Sequence, residues 1–153
     1  AVMLAFSGQV AGNLVSGFLS QYLQSRKKAI LVFILLSVSL VLVYLLAPIS
    51  SATMLYVVCA CLGFSSGYWT LFITVAAELF GSNLRATVAT TIPNFVRATV
   101  IPLTALFLLL KPHSGIIYSA LITGLIAYLL AFIALFFLEE TFKKEMDYTE
   151  EEK

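Results

Sequence analysis

The sequence predicts an all-α fold: a polytopic transmembrane helical bundle with five membrane-spanning helices. Three observations carry that expectation. Of 153 residues, 61% are hydrophobic and 11% charged, with a mean hydropathy of +1.01, whereas a soluble domain carries roughly 25% charge. The charges are bunched, at Arg26–Lys28, at Glu78 and Arg85, at Arg97 and Lys111, and in a tail from Glu139 onward. Between the bunches lie apolar runs of about 20 residues, enough to cross the ~30 Å hydrocarbon core as helices. The alternating pattern of short membrane strands is missing from these runs.

The spans are expected at 2–23, 29–47, 54–77, 87–110 and 115–138, followed by a tail at 139–153. The breaks "QSRKKA", "APISSAT", "ELFGSNLR" and "LKPHSG" all carry turn or charge chemistry. Arg26, Lys27, Lys28, Arg85, Lys143 and Lys144 gather near one set of span ends, and the other set holds Lys111. The positive-inside bias then puts the first and third loops and the C-terminus in the cytoplasm, as in a multi-pass protein of a plasma or inner membrane. The tail "EETFKKEMDYTEEEK" is of mixed charge and is expected to form a short, fraying helix. Ala1 opens inside an apolar run without a signal-peptide pattern, so the chain is expected to be a portion of a longer one.

Cys59 and Cys61 are two apart on a helix and do not face each other, and His113 falls in the fourth break without a ligand neighbour. No cofactor is expected. A net charge of +1 without a basic patch disfavours nucleic acid; membrane lipid is the expected surroundings.

Composition divides the spans into two kinds. The second and fifth are almost uniformly aliphatic, the fifth with a small-residue face of Ala120, Gly124, Ala127, Ala131 and Ala134. The first carries Gln9, Asn13, Ser16 and Ser20 on one face. Gly8, Gly12, Ser16 and Ser20 also repeat every four residues, which permits close helix approach; pore lining and packing both fit this stripe. The third span has Gly63 and Gly67 at the same spacing, then Trp69, Thr70 and Thr74 leading to Glu78.

The fourth span is the unusual one. Thr87, Thr90, Asn94, Arg97 and Thr104 share one side of a helix. Arg97 stands ~18 Å beyond Arg85 at a rise of about 1.5 Å per residue. A central arginine costs roughly 2.5–3.5 kcal/mol on insertion scales, so it should meet water or an anion. Pro93 and Pro102 free carbonyls near residues 89 and 98, which at that depth requires protein or a wet cavity. A solute pathway suits Arg97; so does pairing with a buried acid, which would have to come from outside this sequence.

The stretch "AAELFGSNLRATVATTIPNFVR" resembles the segment joining the tenth and eleventh helices of the major facilitator superfamily, in its sugar-porter and organic-ion branches. Glu78 and Arg85 match the E-x6-R spacing, with Gly81 where proline is usual. "GFLSQYLQSRKKAIL" is similar to the second-half copy of that superfamily's loop signature: Gly17, Leu19, Ser20 and the basic run match, while Gln21 replaces the signature Asp and Tyr22 an Arg. In "EETFKK", Glu140 and Thr141 match the P-E-T-K-G ending. The resemblance makes the five spans helices eight to twelve of a twelve-helix secondary transporter, a partial C-terminal bundle whose partner is the missing N-terminal half. It implies alternating access for a small-molecule solute, as symporter or uniporter. Glu78, Arg85 and Arg26 would form a cytoplasmic gate; Arg97, Asn94, Trp69, Gln9 and Asn13 would line the substrate pathway. Trp69 equally suits packing.

Arg97 would favour a polar or anionic organic solute through charge-assisted bonds. The alternative is a structural or assembly subunit whose polar stripes are helix contacts. An enzyme is not expected, because the spans carry no nucleophile–base pair and no metal motif.

Overall fold

The computed structural model describes residues 1–47, 51–80 and 83–142. They form α1 (Val2–Tyr22), α2 (Arg26–Leu46), α3 (Ala52–Ser65), α4 (Trp69–Glu78), α5 (Arg85–Ala98) and α6 (Val100–Phe137), with no strand among the described residues. Four helical stretches are long and apolar enough to cross a membrane: Val2–Tyr22, Arg26–Leu46, Ala52–Glu78 and Arg85–Phe137.

Apolar side chains mostly face outward. Met3, Phe18, Leu130 and Phe136 are 60% exposed or more, whereas the largest fully buried side chains are Ser16, Ser20, Ser65 and Ser119. A soluble monomer rarely exposes apolar patches on this scale. Small interior residues with a greasy exterior are what helices packing in lipid require, and this supports a transmembrane protein.

The element boundaries depart from the sequence expectation by more than two residues in four places. α2 starts at Arg26, not 29, because Ser25 caps it, accepting from the Lys28 amide at 3.2 Å. Arg26, Lys27 and Lys28 therefore lie in the first turn of a helix, not in a loop. The third span is broken at 66–68, where Gly67 and Trp69 donate to carbonyls three residues back. Ser65 and Ser66 both return their hydroxyls to the Leu62 carbonyl, at 2.8 and 3.0 Å, a back-bonding that bends helices. The fourth span is broken at Thr99, three residues before Pro102, whose ring clashes with the carbonyl four residues back. Pro93, by contrast, sits inside α5 without ending it.

The fourth departure is at the expected "LKPHSG" loop. Lys111, Pro112, His113 and Ser114 are helical, and the turn is concentrated at Gly115 with φ 74 and ψ 173. That conformation is essentially reserved for glycine. The tail residues 139–142 are non-helical; the rest of the expected tail helix, with Lys143 and Lys144, lies outside the described residues, as do 48–50 and 81–82.

Two packing systems hold the helices. α1 and α3 cross with backbones in contact: a Cβ on Gly12 would meet the Phe64 carbonyl oxygen, and one on Gly67 would meet the Gly12 backbone. Ala29, Ile30, Ile34, Leu71, Val75 and Leu135 form the apolar core between α2, α4 and the second limb of α6. Ser37 and Tyr128 share a 2.6 Å hydrogen bond between α2 and α6.

Candidate functional site

At one end of the bundle, the start of α2, the end of α4 and the segment after α6 converge on two carboxylates. Glu78, the last residue of α4 and buried, accepts from Arg26 Nη2 through Oε1 at 2.9 Å and from the Thr141 hydroxyl through Oε2 at 2.6 Å. Arg26 also donates through Nη1 to Ser20 Oγ at 3.2 Å, and its guanidinium carbon lies 5.6 Å from the centre of the Phe142 ring. Its Nε is buried without a hydrogen-bond partner among the described residues.

Glu140 caps the other side of this joint. Its Oε1 accepts from the backbone N–H of Arg26 at 2.8 Å and of Phe142 at 3.1 Å, and its Oε2 accepts from the Ser25 hydroxyl. A carboxylate at a helix N-terminus meets orphan N–H groups and the positive end of the dipole. Partial burial pushes the Glu140 carboxyl up, but the Ser25 hydroxyl and the nearby amides outweigh it and hold it below the usual carboxylate value.

Of the residues expected at a gate, the structure brings Arg26 and Glu78 together directly. Arg85 Nε donates to the Ala77 carbonyl at 3.3 Å, across the same turn. Ser20, Ser25, Glu140 and Thr141 complete the joint and were not among the expected gate residues. Ser25 could have been found as a helix cap, and Glu140 with Thr141 by their match to the ending motif.

The expected pathway residues fall into three environments. Thr87, Thr90, Asn94 and Arg97 are exposed on one side of α5, which buries no residue at all. Asn94 Nδ2 donates to Thr90 within the helix at 3.1 Å. The Arg97 guanidinium has neither an ion pair nor a hydrogen bond among the described residues. Thr104 is parted from this arc by the break at Thr99 and instead lines a gap between the two limbs of α6 with Phe107 and Thr123.

On α1, Ser16 is fully buried and donates to the Gly67 carbonyl at 2.7 Å, satisfying backbone at the α3–α4 break. Gly8, Gly12, Ser16 and Ser20 of the stripe are thus packing positions. Gln9 and Asn13 are half-buried, and Asn13 Oδ1 is buried without a hydrogen-bond partner among the described residues.

Trp69 stands elsewhere. It packs on Phe72, ring centres 5.7 Å apart, and lines an apolar cavity of ≈ 330 Å³ between α2, α4, α5 and the second limb of α6. Ile92 and Val96 form the α5 wall of that cavity. At ~100° per residue they are on the side of α5 opposite Asn94 and Arg97. Trp69 and the polar arc therefore do not share a surface.

Comparison of the chain with known protein families, with curated proteins and with solved structures finds no significant match.

Proposed function

We propose that the chain is the C-terminal portion of a secondary membrane transporter, resembling the major facilitator superfamily, that moves a small polar or anionic organic solute by alternating access. The observation that carries this reading is the uncovered polar arc of α5, centred on a guanidinium without a partner among the described residues. Inside an apolar span such a cation needs water or an anion, and a solute passage against a second helical bundle supplies either. The Arg26–Glu78 joint supports the reading from the other end: it ties three helix ends of this bundle together, as a bundle that rocks as one body requires.

In this reading the chain crosses the membrane five times. The stretch Arg85–Phe137 has 53 residues, ~80 Å as a straight helix at about 1.5 Å per residue, so Gly115 divides it into two crossings. The Arg26 end is cytoplasmic by the positive-inside bias. No step of this function requires a catalytic group, so it is not enzymatic.

The test is uptake into proteoliposomes by the full-length protein, across sugars, carboxylates and organic ions, with Arg97→Ala and Arg97→Lys beside the wild type. A carboxylate or phosphate solute that loses transport with alanine and regains part of it with lysine supports the reading. Unchanged kinetics for every transported solute remove Arg97 from the pathway. The same uncovered arc also suits a second reading, an assembly subunit whose Arg97 pairs with an acid on a partner helix. Loss of complex formation in Arg97→Ala, with no solute transported by the wild type, selects that one.

A further inference from the structure

The apolar cavity against Trp69 belongs to neither the polar arc nor the charged joint. Its walls come from α2 (Ile30, Ile34), α4, α5 and the second limb of α6, and Tyr68 and Trp69 are the only lining residues with polar side-chain atoms. Protein interiors pack without such spaces. Water does not fill an apolar one, because each molecule needs two to four polar partners (about three on average). A volume of ≈ 330 Å³ is at the lower end of the roughly 300–1,000 Å³ of small-molecule sites. A polar solute would find nothing there to replace its hydration; hydrocarbon would. The cavity is not sealed, since its wall residue Ala134 is exposed.

A cation stands at its rim. Lys27 is one turn before Ile30 on the same face of α2. Its Nζ donates to the carbonyls of Phe136 at 2.9 Å and of Leu138 at 3.0 Å, and the Leu138 side chain lines the cavity. An ammonium has three N–H donors, so one is left over. Both acceptors are neutral, and the ammonium itself makes no ion pair among the described residues. An apolar slot capped by an ammonium with a donor to spare is complementary to an acyl chain that ends in a phosphate.

We infer that this cavity is a binding site for an anionic phospholipid of the leaflet nearest the α1–α2 turn. One acyl chain lies against Trp69, Val96 and Leu135, and the phosphate takes the remaining Lys27 donor. This rests on membrane embedding and not on transport.

Trp69 is the only tryptophan of the chain and lines the site, so it reports occupancy directly. The full-length protein, with any tryptophan outside this chain replaced by phenylalanine, is reconstituted in phosphatidylcholine vesicles, and its fluorescence is followed as phosphatidylglycerol or phosphatidylcholine with brominated acyl chains is added. Brominated phosphatidylglycerol should reach half-maximal quenching at about fivefold lower mole fraction, the worth of one lysine near an anionic headgroup. Lys27→Gln should bring the two lipids level while Lys27→Arg keeps the preference, and Ala134→Phe should weaken quenching by both, with helical circular dichroism intact in each. Raising the salt concentration with the wild-type chain should shrink the preference without any substitution. Equal quenching by the two lipids means ordinary boundary lipid and overturns the site, as does a preference that Lys27→Gln or salt leaves unchanged. Absence of quenching by either lipid means a closed cavity and overturns it too. Equal quenching leaves the transport reading standing, and a solute-inactive chain that keeps the preference retains the lipid site.

Discussion

Arg26, in the first turn of α2, lies 2.9 Å from Glu78, the last residue of α4. Each stands at the helix end whose dipole disfavours its own charge, by about 0.3–1 kcal/mol at an exposed site. Together they offset that penalty, and Glu140 adds an anion where α2 favours one. Thr141 fills the second oxygen of Glu78 and is itself buried. The joint is thus made of groups that are poorly placed alone and well placed in company.

The first prediction follows from that interdependence. Arg26→Gln and Glu78→Gln should each destabilise the chain in detergent, and the double variant should cost less than their sum. The coupling should be about 1–2 kcal/mol, as for groups in one network. In transport, Glu78→Gln should lower turnover roughly tenfold, equivalent to about 1.4 kcal/mol of barrier, with little change in apparent affinity. Weakened binding at normal turnover would count against a gate.

The second concerns pH. The Glu140 carboxyl is held below its usual value near 4.5 by the Ser25 hydroxyl and the surrounding amides, against the upward push of burial. A carboxyl lowered in the folded state contributes stability above its unfolded value. That contribution is lost as the pH falls through the lower, folded value. The protection factor of the Arg26 amide, its intrinsic exchange rate at each pH divided by the observed one, should therefore be high at neutral pH and fall in acid as the pH drops through the lowered value of Glu140. Glu140→Gln should have a lower protection factor at neutral pH and lose most of its acid dependence.

The helices and their apolar character were legible because runs of leucine, isoleucine and phenylalanine between charge clusters leave few other folds. Glu78 and Arg26 were grouped, together with Arg85, only through resemblance, since 52 positions separate them and no local spacing links them. Glu140 and Thr141 lie farther still from their partners and matched a motif at two positions only. The break at Thr99 was foreshadowed by Pro102, a local steric rule. The break at 66–68 was not, because the Gly67 carbonyl it exposes is satisfied from a distant helix, by the Ser16 hydroxyl of α1 donating to it. That Trp69 and Arg97 occupy different surfaces could not be read from composition; it is set by which side of α5 meets α4.

The third prediction concerns the turn between the limbs of α6. Gly115 has φ 74 and ψ 173 and an open surrounding, with nothing within 4 Å of an added Cβ. Backbone strain is therefore the whole cost of Gly115→Ala, about 1–3 kcal/mol for a residue forced into that region. Spin labels on the two limbs should show a broadened distance distribution in the variant. A wild-type distribution with unchanged stability would mean that the turn is set by other residues.

The fourth separates close approach from simple helix propensity. A Cβ on Gly63 would stand 2.6 Å from the carbonyl carbon of Ala5 and 2.8 Å from its Cα, both backbone atoms that cannot rotate away. A Cβ on Gly17 would meet nothing within 4 Å. Both glycines are inside helices, where alanine is otherwise preferred by roughly 0.5–1 kcal/mol. Gly63→Ala should therefore destabilise by at least the ~1–3 kcal/mol of an overpacked core, because α1 and α3 must separate along their length. Gly17→Ala should be neutral or slightly stabilising. Thermal unfolding of the two variants in the same detergent, followed by helical circular dichroism, gives the comparison. If both shift the midpoint alike, the α1–α3 crossing is looser than the backbone contacts at Gly12 and Gly67 require, and the stripe on α1 regains its place as a candidate pore lining.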